Sequence, residues 1–162
     1  MRALLSSVHM EYEYKTTVSE SLIPGAGMGL FAMRDIHKGE VVTEYGGEVV
    51  DIKRAKELMA AGEDTHLLTV TSQYEALDGR VRPEAGFTLE YYYRNDMMGS
   101  FANSIDKPNV KYVEQSRSYG RIHPYGATAS KKMVLRAIRD IKAGEEIYSN
   151  YGKGYSRRHF NK

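Results

Sequence analysis

Residues 135–152 read LRAIRDIKAGEEIYSNYG, and residues 30–46 read LFAMRDIHKGEVVTEYG. Their first eleven positions share Leu, Ala, Arg, Asp, Ile, Gly and Glu, seven of eleven, at a constant offset of 105. Each copy runs from an apolar segment through a charged turn closed by Gly39 or Gly144 into a second apolar segment. Each then reaches a Tyr-Gly pair, Tyr45-Gly46 or Tyr151-Gly152, the second displaced by one residue. Short apolar and β-branched runs bounded by glycine predict strand–turn–strand units. Two copies are too few for a solenoid. Two readings stay open: one local solution used twice, or two units that bring Tyr45 and Tyr151 to a common site.

Working outward, residues 40–45, 67–71 and 133–138 read as strands between turns. Residues 52–61 read as a helix, with Asp51 as N-cap and Gly62 ending it in the left-handed conformation. The apolar Ile52, Ala55, Leu58 and Met59 recur at helical spacing and cover a sheet with one face. The run Tyr91-Tyr92-Tyr93 within EYYYR reads as strand packing that could border a substrate groove. The expected fold class is mostly β with a few short helices.

Composition narrows the chemistry. The 162 residues carry 23 Lys and Arg against 21 Asp and Glu, a net charge of +2, so no strong polyanion binder is expected. There is no cysteine, which excludes disulfides, a thiol nucleophile, iron–sulfur clusters and thiolate zinc sites. The five histidines show no metal-ligand spacing, and no metal is expected. Lys131, Lys132, Arg136, Arg139, Arg157 and Arg158 read as solvated charge, with weak contact to nucleosomal DNA as the alternative. Residues 1–8 are too short an apolar stretch for a secretory signal, and no run approaches a membrane span. A soluble intracellular protein, nuclear or cytoplasmic, is the expectation.

Three polar turns stand out. Residues 24–30 (PGAGMGL) fail the dinucleotide fingerprint because Leu30 stands where its last glycine belongs, and no Gly-Lys-Ser/Thr follows for a phosphate loop. What remains is backbone permissiveness for a turn or a closely approaching ligand. Residues 99–109 (GSFANSIDKPN) hold Asn103, Ser104 and Asn109, and residues 144–152 (GEEIYSNYG) end on Tyr151-Gly152. In this order, with EYGGE at 44–48 and YEALDGR at 74–80, these segments resemble those of the SET-domain protein lysine methyltransferases. PGAGMGLFA is similar to that family's G-x-G-[LMW]-G-L-F-A opening and EYGGE to its E-Y-x-G-E strand. GSFANSIDKPN is similar to its R-F-x-N-H-x-x-x-P-N segment, and GEEIYSNYG to its G-E-E-L-T-x-D-Y-G segment.

The resemblance implies a SET fold of small twisted sheets around a C-terminal pseudoknot, with the segment bearing Tyr151 threading beneath the Asn103 segment. Residues 1–15 would be an N-terminal flank, 16–155 the SET domain with a variable insert at 51–98, and 156–162 a tail that closes the site. It implies S-adenosylmethionine as cofactor, held by Gly27, Met28, Gly29, Leu30, Asn103 and Ser104, with Tyr155 and Phe160 covering it. Tyr151 and Tyr45 would be the catalytic tyrosines of the lysine channel, also touching the cofactor, and the substrate would be a protein lysine such as one in a histone tail. One departure leaves an alternative open, a weak or inactive module that binds cofactor or peptide: Ser104 stands where the family has histidine. Ser149 stands where an aromatic residue helps set how many methyls are added, which leaves the product state open. The missing cysteines also mean that the zinc module often following this domain is absent, leaving Tyr155, His159 and Phe160 to close the channel.

Overall fold

The computed structural model describes residues 14–70, 75–116 and 131–150. Three small sheets carry the chain. In the first, strands β1 (Thr16–Glu20), β2 (Met28–Ala32), β10 (Glu146–Ser149) and β7 (Asn103–Ser104) lie side by side in that order. In the second, β9 (Lys131–Ala137) runs between β3 (Val41–Tyr45) and β8 (Val110–Ser116). In the third, β6 (Glu75–Asp78) lies between β4 (Glu48–Asp51) and β5 (Leu67–Val70). No helix among the described residues is long and apolar enough to cross a membrane.

The two sequence copies face each other and exchange backbone bonds across the turn, and each also repeats the other's internal contacts. Gly39 N donates to Ala137 O at 2.8 Å, and Gly144 N donates to Ala32 O at 2.8 Å. Ala137 N meets Glu40 O and Ala32 N meets Glu145 O, each at 2.9 Å, while Ile36 and Ile141 bond one another in both directions at 2.8 Å. The side chains follow the same rule. Lys38 N donates to Asp140 Oδ1 at 2.8 Å, as Ala143 N does to Asp35 Oδ1 at 2.9 Å. Arg34 reaches Glu40 at 3.3 Å and Arg139 reaches Glu145 at 3.0 Å. Strands pair reciprocally too: Phe31 opposes Glu146, and Val41 opposes Arg136, the same pair of positions read from the other copy. A register shift between Val41 and Thr43 ends the equivalence. Gly39 and Gly144 both have φ near +90°, the left-handed region where only glycine is comfortable, which explains their place in the shared pattern.

The pseudoknot expectation is met by β10, which pairs in parallel with β7 and antiparallel with β2. Asn109, 1% exposed, locks the crossing. Its Nδ2 donates to Glu146 O at 2.9 Å, its Oδ1 accepts from Tyr148 N at 2.8 Å, and its own N donates to Tyr148 O at 3.0 Å. The asparagine side chain supplements these backbone bonds by satisfying Glu146 O and Tyr148 N.

The insert forms as read at one end and differently at the other. Helix α1 (Ile52–Ala60) is capped by Asp51, whose Oδ1 accepts from Arg54 N at 2.8 Å, and Gly62 has φ +73°. Ala55 and Leu58 are buried against the third sheet with Val50, Leu67 and Ala76. The EYYYR segment is a helix, α2 (Leu89–Arg94), which corrects the strand reading. Thr88 caps it through Tyr91 N at 3.0 Å, and Glu90 pairs with Arg94 one turn later at 2.6 Å. All three tyrosines are buried while Glu90 and Arg94 stay exposed, and the hydroxyls of two reach distant partners. Tyr92 donates to Arg80 O at 2.7 Å, and Tyr93 Oη accepts from Val18 N at 2.7 Å. Local cap chemistry and burial of the rings outweigh the β preference of tyrosine.

The reciprocal turns carry an acid sensitivity. The carboxyl of Glu40 lies below the usual carboxylate range, first because His37 N donates to it, and that of Glu145 does so first because Lys142 N donates to it. A carboxyl lowered in the folded state stabilises the fold above the unfolded-state range, about pH 4–4.5, and that stability is lost as pH falls through the folded value. The Glu40→Gln/Glu145→Gln double variant should therefore show a shallower fall of its urea midpoint between pH 6 and roughly pH 3 than the parent. Equal slopes would show that these carboxyls do not couple to folding.

Candidate functional site

The glycine turn, the Asn103 segment and β10 meet around one buried carboxylate. Ser21 N donates to Gly27 O at 2.8 Å and closes the turn, where Gly27 has φ +74°. Within it, Ser21 Oγ donates to Glu146 Oε2 at 2.7 Å and Leu22 N to Glu146 Oε1 at 2.8 Å. Tyr148 Oη adds a donor at 3.0 Å and Asn103 Nδ2 a further one at 3.3 Å. Glu146 is 2% exposed, and four donors are the arrangement a buried carboxylate needs. Burial, with the hydrogen bond to Glu146, holds the Tyr148 hydroxyl above the usual tyrosine range.

This network explains Gly29. A Cβ built there would collide with Glu146 Oε2 and stand 3.1 Å from Asn103 Nδ2. The close approach read from the sequence is therefore made at Gly29 by the chain's own carboxylate, whereas Gly25 and Gly27 face open space. Asn103 Nδ2 also donates to Met28 O at 3.0 Å, so one side chain ties the turn to the second segment.

Beside this knot lies a pocket of about 290 Å³, lined by Ala26, Met28, Thr65, His66, residues 100–102, Asn103 and Ser104. Met28, Asn103 and Ser104 of the expected cofactor residues are thus brought together. Gly27 and Gly29 hold the turn behind them, and Leu30 is fully buried in the core between Val18 and Ile147. Tyr45 is also fully buried, and its hydroxyl donates to His66 O at 2.6 Å. Tyr45 does not line the pocket and is tied to it through that bond to the lining residue His66. Tyr151, Tyr155, His159 and Phe160 lie outside the described residues.

Several residues here were not singled out by sequence reading. Glu146 had a signal: the offset of 105 sets it against Val41, so an acid occupies a position that is apolar in the other copy. His66 and Thr65 reach the site from the insert, where no motif marked them. Tyr112 Oη lies 3.0 Å from the buried Ser149 Oγ, and its ring meets Tyr45 edge-on at 6.2 Å between centroids. Tyr112 on β8 thus supplies an aromatic side chain and a hydroxyl next to Ser149.

An adenosyl amino-acid cofactor fits this donor set. The pocket lies near the lower end of the roughly 300–1,000 Å³ usual for small-molecule sites. It combines apolar surface from Met28 and Phe101 with the polar side chains of Asn103, Ser104, Thr65 and His66. Gly29→Ala should disrupt the site from beneath by pushing Glu146 away. We expect a stability loss of about 1–3 kcal/mol in chemical denaturation, and unchanged stability would mean that Glu146 moves aside freely.

Comparison with known proteins extends this geometry. The SET domain family model matches residues 27–152. The chain is 26% identical over 140 residues to the histone-lysine N-methyltransferase EZH2 of Chaetomium thermophilum, covering 85% of this chain and 8% of that protein. It is 28% identical over 134 residues to the N-lysine methyltransferase KMT5A-A of Danio rerio, covering 80% of this chain and 33% of that protein. The chain therefore spans about a third or less of the length of these relatives. Among solved structures, the autoinhibited Chaetomium Polycomb Repressive Complex 2 bound to S-adenosylmethionine shares the fold, with a TM-score of 0.65 at 21% identity over 93% of this chain and 16% of that one. The matched segment contains the end of the glycine turn from Gly27, the Asn103 segment and β10 with Glu146, and this chain belongs to the SET domain family.

Proposed function

We propose that this chain transfers a methyl group from S-adenosylmethionine to the ε-amine of a protein lysine. The observation that carries this reading is the pocket in which Met28, Asn103 and Ser104 converge, with Tyr45 bonded to the lining residue His66. The names of the relatives, histone-lysine and N-lysine methyltransferases, favour a histone tail as substrate and chromatin as its setting.

The cofactor, when bound, supplies an electrophilic methyl group on a sulfonium. The chain's own residues bind and align. Main chain at Met28, held by Asn103 Nδ2, presents a fixed edge, and Asn103 and Ser104 offer polar partners to the cofactor's nitrogen and oxygen atoms. Lysine must lose a proton to act as nucleophile, and at neutral pH only about one in 10³ free side chains has done so. A lysine channel beside the buried Tyr45–Tyr112 pair would disfavour ammonium by desolvation. Because the Tyr45 hydroxyl is bonded to His66 O, Tyr45 acts by shape, leaving the orienting hydroxyl to Tyr151. Alignment of amine and methyl donor contributes most, since correct placement alone removes several kcal/mol of barrier, about 7–11 at its upper limit.

A catalytically inactive cofactor- or peptide-binding module is the second reading, favoured by Ser104 at the pocket rim where the family has histidine. Transfer of labelled methyl from S-adenosylmethionine to histones and lysine peptides separates the two. We expect transfer, a drop of roughly 10²-fold in rate for Tyr151→Phe, and cofactor binding weakened about tenfold by Asn103→Ala in calorimetry. Cofactor binding with no transfer to any protein would establish the inactive module, and binding of neither cofactor nor peptide would overturn both readings.

A further inference from the structure

The chain carries eight methionines and no cysteine, so its reversible sulfur chemistry rests on thioethers alone. Burial sorts them. Met97, Met98 and Met133 are sealed in the core, and Met59 packs against the apolar cluster beneath α1. Among the described residues, Met28 at 46% and Met33 at 36% are the exposed ones. Of these two, Met28 lines the pocket and Met33 does not.

The glycine turn is what bares Met28. Its chain neighbours Gly27 and Gly29 have no side chains to cover it, and Gly27 faces open space. Its main chain is nevertheless fixed. Asn103 Nδ2 donates to Met28 O at 3.0 Å, and Met28 stands opposite Glu20 in the β1–β2 ladder. The residue is thus anchored on the pocket, where it and Phe101 are the large apolar members of the lining. A polarizable thioether that is open to a small oxidant is also part of the binding surface.

We propose that Met28 is a reversible oxidation site through which peroxide weakens cofactor binding. A lone pair of the sulfur attacks one oxygen of hydrogen peroxide. The O–O bond breaks, an S–O bond forms and water leaves, so the sulfur loses two electrons and the peroxide gains them. The sulfoxide is polar and chiral where an apolar contact stood. A bound cofactor would desolvate that new oxygen, which costs free energy unless a donor meets it. Both N–H groups of the Asn103 amide are already committed, to Met28 O and to Glu146 Oε2. Methionine sulfoxide reductases return the thioether. The effect on binding rests on the assignment of this pocket to S-adenosylmethionine made above, whereas the oxidation itself does not depend on it.

The test treats the full chain with hydrogen peroxide, with and without saturating S-adenosylhomocysteine. Sulfoxide is mapped by mass spectrometry, and cofactor Kd is measured by calorimetry before and after treatment. Met28 should oxidise about tenfold faster than Met97, Met98 and Met133, and S-adenosylhomocysteine should slow Met28 about fivefold while leaving Met33 unchanged. Oxidation should raise the cofactor Kd about tenfold, and the two epimer-specific methionine sulfoxide reductases with dithiothreitol should reverse the rise. Met33→Leu should show the same rise as the parent, and Met28→Leu should keep its own untreated Kd. Complete oxidation of Met28 with unchanged Kd would overturn the proposal, as would an equal rise in Met28→Leu. Met28 that oxidises no faster than the buried methionines, or that S-adenosylhomocysteine leaves unprotected, would overturn it too. A parent that binds no cofactor before treatment would overturn the methyl-transfer reading and this effect with it.

Discussion

Six backbone hydrogen bonds, exchanged in three reciprocal pairs between residues 32–40 and 137–145, are the constraint on which the rest of this structure depends. Each copy cannot finish its own turn: Gly39 needs Ala137, and Gly144 needs Ala32. The exchange fixes β2 against β10 and β3 against β9, joining two sheets that otherwise share no edge. It also sets where β10 leaves the turn. From there β10 runs parallel beside the Asn103 strand β7, and Asn109 bonds it through its side chain. Without the exchange, Glu146 would not arrive under Gly29, and the glycine turn would have nothing to close on.

That carboxylate shows how one buried charge organises a site it does not line. Glu146 collects donors from the turn, from Asn103 and from Tyr148, so three segments distant in sequence acquire one relative position. Breaking a single partner would leave a buried charge short of a donor, which is costly enough to hold the arrangement together. The pocket inherits this rigidity, because Met28 and Asn103 both line it and bond each other.

Much of this was legible in the sequence. The seven shared residues announced the paired turns, and Asp51 and Gly62 marked both ends of the first helix. The family motifs placed Met28, Asn103 and Ser104, which do converge. The rest depended on tertiary facts that no local pattern records. The tyrosines at 91–93 looked like a strand because three aromatic residues in a row favour one, while the helix rests on Thr88 and on burial of all three rings. The hydroxyl of Tyr45 is turned to His66 O by a loop whose sequence carries no motif. Gly29 read as room for a ligand, yet the neighbour it admits is Glu146, a residue visible only as an acid at a position apolar in the other copy.

The most direct measurement is a crystal structure of the chain with S-adenosylhomocysteine. The expected result is the ligand in the pocket at Met28, Asn103 and Ser104, with the Glu146 network intact beneath Gly29. A ligand bound elsewhere on the molecule, or one that displaces Glu146 from its donors, would contradict the assignment of this pocket to the methyl donor.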